Sequence, residues 1–276
     1  MLFVRERFGR LCCRETIRSA LHRLDLSWKK AKKLLGRANP ERRQAFMAQL
    51  GDLLDGATRQ KHCLVLGRAN PERRQAFMAQ LGDLLDGATR QKHCLVYLDE
   101  AHIHQDADLG YGWAERGQRL WVASSSPSLS ARGSFYGLDL YNEGQVQLWP
   151  YGRANGEHTI DVLRRLRAEV PERKLIVLWD GAPYHRAHAV REVARTLGIE
   201  LVPLPGYSPD LMPVEALWRW LREDVTYHHC HASAEDLTRR VAAFKVRINQ
   251  DRCALAERLQ VTDTLDPDEE KLRFSS

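Results

Sequence analysis

Two short apolar runs, each closed by an aspartate, constrain this chain most. Cys94-Leu95-Val96-Tyr97-Leu98 runs into Asp99, and Leu175-Ile176-Val177-Leu178-Trp179 runs into Asp180. Both are rich in branched and aromatic residues without polar alternation, the pattern of strands buried on both faces. A third acid, Glu215, follows Ser208-Pro209-Asp210-Leu211-Met212-Pro213 and opens the apolar-periodic stretch Ala216-Leu217-Trp218-Arg219-Trp220-Leu221. Acids at the ends of two core strands, with another at a helix start, form a candidate cage for divalent cations. Hard ions such as Mg²⁺ take carboxylate oxygens, and two of them can clamp the attacking and leaving oxygens of a phosphodiester.

Periodicity elsewhere predicts a mixed sheet covered by helices. Tyr111-Gly112-Trp113-Ala114 and Leu120-Trp121-Val122-Ala123, split by Arg116-Gly117-Gln118, predict one hairpin; 134–138 and 145–149 predict another. Helices are expected from His158 to Val170, from His185 to Leu197 with Gly198 closing it, from Pro213, and from Ala234 to Asn249. Ile199-Glu200-Leu201-Val202-Pro203 reads as a last strand.

Three words around the acids carry a family resemblance. They are Tyr97-Leu98-Asp99-Glu100, Leu178-Trp179-Asp180-Gly181-Ala182-Pro183-Tyr184-His185, and the block from Leu204 to Trp218 with Tyr-Ser-Pro-Asp-Leu and Pro-Val-Glu. Together they resemble the mariner-related insertion-sequence transposases of prokaryotes, in the DDE (retroviral-integrase-like) superfamily. The resemblance implies an α/β, RNase H-like catalytic domain over 94–250. It also implies that Asp99, Asp180 and Glu215 hold two Mg²⁺ or Mn²⁺ ions for strand cleavage and strand transfer at transposon ends. Met212 and Gly181 depart from the family's usual residues; neither is an expected metal ligand. The partners implied are double-stranded DNA and a second copy of the chain, in a prokaryotic cytoplasm at the nucleoid. Two alternatives stand beside this reading: a nuclease of the same fold without a joining step, and a non-catalytic DNA-binding remnant.

The amino-terminal 34 residues predict one or two short helices. Ile17, Ala20, Leu21 and Leu24 form a helical stripe, with Arg14, Arg18 and Arg23 off it, and Lys29, Lys30, Lys32 and Lys33 come next. The net charge is +6 and the pI about 9.1, and the local excess of base suits phosphate backbones. In the family's terms this is the tail of a helix-turn-helix, so an upstream reading-frame product is an expected partner.

Residues 35–93 read as a helical linker containing an exact duplication: Leu35 to Val65 recurs letter for letter as Leu66 to Val96. Two undrifted copies are no solenoid, which needs more units and atypical ends. Only the second tail runs on into Asp99, so the second copy is expected in the core. The first is expected along the linker or over the surface, competing for the same docking site.

The remaining ligand-type residues are read as structural. Glu100 falls on the strand face opposite Asp99. His102 and His104 are candidates for a phosphate contact, and His185 and His188 lie one helical turn apart. His228-His229-Cys230-His231 has no companion cluster at zinc spacing, and adjacent residues diverge too far to chelate one ion. The six cysteines show no disulfide framework, no apolar run reaches membrane-span length, and 251–276 reads as a solvated tail.

Overall fold

A computed structural model of the chain describes residues 7, 9–10, 12–35, 70–125, 131–180, 182, 185, 187–206, 208–261 and 265. Helix α1 (Arg14–Arg23) leads into β1 (Leu26–Lys30) and β2 (Lys32–Leu35). Helix α2 (Pro71–Thr89) belongs to the second repeat copy. Its Asn70 side chain accepts from the Arg73 N–H, and Pro71 sits where no intrahelical N–H is needed. Strands β3 (Cys94–His104), β4 (Tyr111–Glu115), β5 (Trp121–Ser124), β6 (Arg132–Leu140) and β7 (Gln145–Tyr151) come after it. Then come α3 (Gly156–Glu169), β8 (Leu175–Trp179), α4 (His188–Thr196) and β9 (Ile199–Pro203). The chain continues through α5 (Val214–Leu221), a wide helical turn at Arg222–Thr226, α6 (Ala234–Asn249) and α7 (Arg252–Arg258).

The two apolar runs are buried strands, as predicted, and they prove to be neighbours. β3 and β8 lie parallel, from Cys94 against Leu175 to Leu98 against Trp179. β6 runs antiparallel on the other side of β3, giving the order β7-β6-β3-β8-β9. This is the mixed RNase H-like sheet expected from the sequence. Alternate β3 side chains feed two cores. Leu95 and Tyr97 pack with Phe77 and Leu81 of α2, Leu217 of α5 and Phe244 of α6. Cys94, Val96 and Leu98 pack with Leu163 of α3 and Val190 of α4.

Four expectations are corrected. β4 and β5 do not pair with each other: β4 takes β1 antiparallel and β5 takes β2 in parallel. Residues 26–35 are therefore strands bound to an excursion from the catalytic sheet, and the boundary at 34/35 falls inside β2. A period of two identifies a strand but not its partner, and here the partners are remote in sequence. The stretch after 250 is not wholly a tail, because α7 puts Leu255 and the adjoining Leu259 into the core. α4 starts at His188, leaving His185 in the preceding turn.

The second repeat copy docks as anticipated. Besides Phe77, Leu81, Leu84 and Ala88, it buries Arg74 completely. That guanidinium holds Asp210, in the block before Glu215, through Nη1 at 3.3 Å and Nη2 at 2.8 Å. The first helix and its tail lie outside the described residues. A chain lacking Leu35 to Val65 retains the sequence of every contact named here, because the junction regenerates the same residues. Its melting temperature should match or exceed that of the parent; a marked drop in thermal denaturation would show that the first copy contributes to the fold.

Candidate active site

The parallel ladder of β3 and β8 ends level at Leu98 and Trp179, so Asp99 and Asp180 follow it side by side. Asp180 leaves its strand there, whereas β3, contrary to the expected strand end, runs on to His104 against β6. Glu215 comes to the same place from the first turn of α5. All three acids line a cavity of about 390 Å³ with Leu204, Pro205 and Met212. They also border a neighbouring cavity of about 660 Å³ with Glu100, His102, Trp218, Arg219, Arg222 and Tyr227. The structure thus brings the three predicted acids together. Among the described residues, however, their oxygens do not form a group lying wholly within 4.8 Å. Like charges repel, and two of the acids are held by other partners.

Asp99 is held by Trp218, whose indole Nε1–H donates to Oδ2 at 2.9 Å. The indole reaches it by lying over β6 at Gly137, the residue paired with Asp99. A Cβ added at Gly137 would come within 2.5 Å of the Trp218 ring, so the close approach needs glycine there. Burial pushes the Asp99 carboxyl up to about 7; the Trp218 bond opposes this, while the Glu215 and Glu100 charges add to it.

Asp180 turns toward His185, whose Nδ1 lies 2.8 Å from Oδ1. The other ring nitrogen lies 2.9 Å from Glu100 Oε1, and the ring stacks on Trp179 at 4.3 Å between centroids. Glu100 does face away from Asp99, as strand alternation requires. On that face it meets His185, which links it to Asp180 at the strand ends. Burial pulls the His185 pKa down, but the bonds to Asp180 and Glu100 outweigh it and bring it to about 9. His185 is therefore an imidazolium at neutral pH, and its hydrogen bond holds Asp180 below the usual carboxylate range. Sequence reasoning placed His185 on a surface helix with His188 and missed this bridge. His188 instead lies exposed, 3.7 Å from Glu192. The available signal was that His185 shares the Asp180 word.

His102 borders the larger cavity and is bonded to Ser134 at 2.8 Å. Arg222 lies beside it with a buried Nε that has no hydrogen-bond partner. Of the predicted basic residues, Arg14 and Arg18 line a separate hollow of about 760 Å³ with Trp28 and Trp113. Arg23, Lys30 and Lys32 sit on the amino-terminal elements, Arg23 and Lys30 exposed and Lys32 at the start of β2. Lys29 is already engaged by the carbonyls of Glu115 and Gln118, each at 2.5 Å. Lys33 is on β2, with its side chain outside the described residues. The α1 stripe buries nothing, and Leu24 is 70% exposed.

A family model for the DDE superfamily endonuclease matches residues 94–238, more than half of the chain. The chain belongs to that family. A winged helix-turn helix model matches residues 2–50, a range that includes α1, β1 and β2. The mariner Mos1 transposase of Drosophila mauritiana is 47% identical over 53 residues, 18% of this chain and 15% of that protein. A probable nicotinate-nucleotide adenylyltransferase of Erythrobacter litoralis is 40% identical over 68 residues, 24% of this chain and 31% of that one. The chain thus spans under a third of either relative. In fold it is similar to a pre-cleavage Mos1 transpososome, with TM-score 0.51 and 20% identity over 94% of this chain and 89% of that one. It is likewise similar to the mariner Mos1 paired end complex with Mg, with TM-score 0.50 and 20% identity over 99% and 90%.

The shifts of Asp99 and His185 each contribute a pH dependence to the stability of this DDE chain. An unfolded aspartate titrates near 4 and Asp99 near 7, so metal-free stability falls as pH rises between those values. Asp99→Asn should therefore stabilise the EDTA-treated protein at pH 8 by on the order of 3 kcal/mol and leave it unchanged near pH 4, as read by urea unfolding. His185 has its folded pKa raised, so its contribution is complete below about 6.5 and fades as pH rises through about 9. His185→Ala should cost about 3 kcal/mol at pH 6, with the gap to the parent narrowing by pH 10. A gap that stays constant across that range would rule out the imidazolium.

Proposed function

We propose that the chain is a transposase, cutting DNA strands at insertion-sequence ends with divalent metal and joining them to target DNA. The carrying observation is the cavity itself: Asp99, Asp180 and Glu215 share it with the cations Arg219 and Arg222. An all-oxygen donor set suits Mg²⁺ or Mn²⁺. The Asp99 carboxyl, pushed up first by burial and then by the Glu215 and Glu100 charges, would be favoured as an anion by a bound cation. Two such ions, held by Asp99, Asp180 and Glu215, would supply Lewis-acid chemistry at phosphorus.

The chain's own residues supply the rest. Trp218 fixes the rotamer of Asp99, and His185 orients Asp180 as an outer partner of a ligand does. Arg219 and Arg222, which line the cavity, would meet the phosphate oxygens of a strand in the cleft. Arg14, Arg18, Arg23, Lys30 and Lys32 extend a basic surface for the DNA backbone; Lys29 serves the fold instead, and Lys33 adds to the basic run in sequence. Double-stranded DNA bound by two copies of the chain, at the nucleoid of a prokaryotic cytoplasm, is the working assembly. The paired-end complexes of the Mos1 neighbours support that reading.

The test is a DNA fragment carrying insertion-sequence ends, incubated with the protein and Mg²⁺. Cut ends and new junctions are expected, and chelation should abolish both. Asp180→Ala and Glu215→Ala should lose cleavage by orders of magnitude while still shifting the DNA on a gel. Cleavage surviving in Asp180→Ala overturns the assignment of the acids. Cuts without junctions would make the chain a nuclease, and binding without cuts a remnant.

A further inference from the structure

We propose a second metal site, away from the three acids, in which His229, His231 and Asp236 bind a borderline divalent cation of the zinc class. One ligand atom from each lies within 4.8 Å of the other two. A tetrahedral ion about 2.1 Å from each ligand spaces the ligands roughly 3.4 Å apart, so small side-chain adjustments close the site.

The independent observation is what the histidines lack. His231 is 2% exposed, and neither of its ring nitrogens has a hydrogen-bond partner. The Nε2 of His229 is also buried and unpartnered. Buried polar atoms are ordinarily satisfied, and an unsatisfied group calls for an explanation such as an ion. The carboxylate completes the case. Asp236 Oδ2 lies 3.6 Å from His231 Nδ1, beyond a hydrogen bond, while Oδ1 takes Arg239 and Arg240 at 2.5 and 3.4 Å. Those arginines orient the carboxylate and leave one oxygen turned to the imidazoles, as outer partners of metal ligands do. Burial and the neighbouring His229 also hold the His231 pKa down, favouring the neutral, ligating ring.

The sequence argument against zinc was that adjacent residues diverge. Here the ligands alternate, His229 and His231, and the third comes from the first turn of α6. Cys230 between them bonds Ser125 at 3.2 Å. Two imidazoles and one carboxylate favour zinc-class ions over Mg²⁺, which keeps oxygen ligands, so the two sites differ in metal. The site also has mechanical reach. The His231 N–H donates to Gln105, the His228 N–H to Asp108, and the Asp108 N–H to Thr226, lacing this loop to the extension of β3. A metal there would clamp three parts: the strand that carries Asp99, the exit from the Glu215 helix, and the start of α6.

The full-length chain is stripped with chelator, dialysed against Zn²⁺ with excess Mg²⁺, and its metal counted by atomic emission. One zinc ion per chain is expected in the parent and in Glu215→Ala. None is expected in His229→Ala or Asp236→Asn, with circular dichroism showing that both variants are folded. Zinc should raise the melting temperature of the parent and leave both variants unmoved. His229 is only half-buried, so its replacement separates ligation from packing. A parent that retains no zinc, or variants that retain it, overturns the proposal.

Discussion

The parallel pairing of β3 with β8 is the constraint on which the site depends. All ten side chains of this ladder, Cys94 to Leu98 and Leu175 to Trp179, are buried. A slip of one residue would exchange the faces of one strand, sending Leu95 and Tyr97 into the α3/α4 core and Val96 into the other. It would also carry Asp99 away from Trp218 and out of line with Asp180. The apolar side chains that stabilise the sheet therefore set the position of the two acids to within one residue, without any contact between the acids themselves.

At the strand ends the controlling force is electrostatic. Three carboxylates and Glu100 gather at one edge, and a buried cation of the chain's own, His185, sits between Glu100 and Asp180. Among the described residues Asp99 receives no comparable partner: it has the Trp218 dipole, and its carboxyl is pushed up to about 7. The asymmetry is informative. Asp180 is held as an anion by His185, whereas burial makes charging Asp99 costlier than it is for an ordinary carboxylate. An edge satisfied on one side and starved on the other is what a site that recruits cations requires, since metal binding displaces protons from its ligands.

Much of this was legible in the sequence because the informative signals were local. An apolar run reports a buried strand, and the acid after it reports where the parallel ladder stops, although β3 itself continues past Asp99 to His104. Glu215 was marked by the Pro-Val-Glu word at a helix start. Interactions between remote residues were not legible. The partners of β4 and β5 lie at 26–35, a choice that alternation cannot make. His185 joins Glu100 from 85 positions away, and Trp218 joins Asp99 from 119. Glu100 was read as structural on the face opposite Asp99, but its His185 partner was not foreseen, since nothing near it in sequence says what occupies that face.

The duplication poses a sharper question: why the second of two identical sequence copies supplies the core helix. Chain entropy does not decide it, because docking either copy leaves one short and one long connection, and closure cost depends on their lengths. Side chains do not decide it either, being the same. The difference lies in what is fastened to the helix end. His93 Nε2 lies 2.9 Å from the Leu84 carbonyl, and the Asn142 amide bridges the carbonyls of Ala88 and His93. The end of α2 and the start of β3 are thereby one unit. Docking the first copy with the same bonds would draw Cys63-Leu64-Val65 into the ladder, with Leu66-Gly67-Arg68 behind it. The eight β3–β6 pairs from Tyr97–Asp139 to His104–Arg132 would then lose their sequence, and Asp99 with it. The strand, committed by its long pairing and its acid, selects the helix that precedes it.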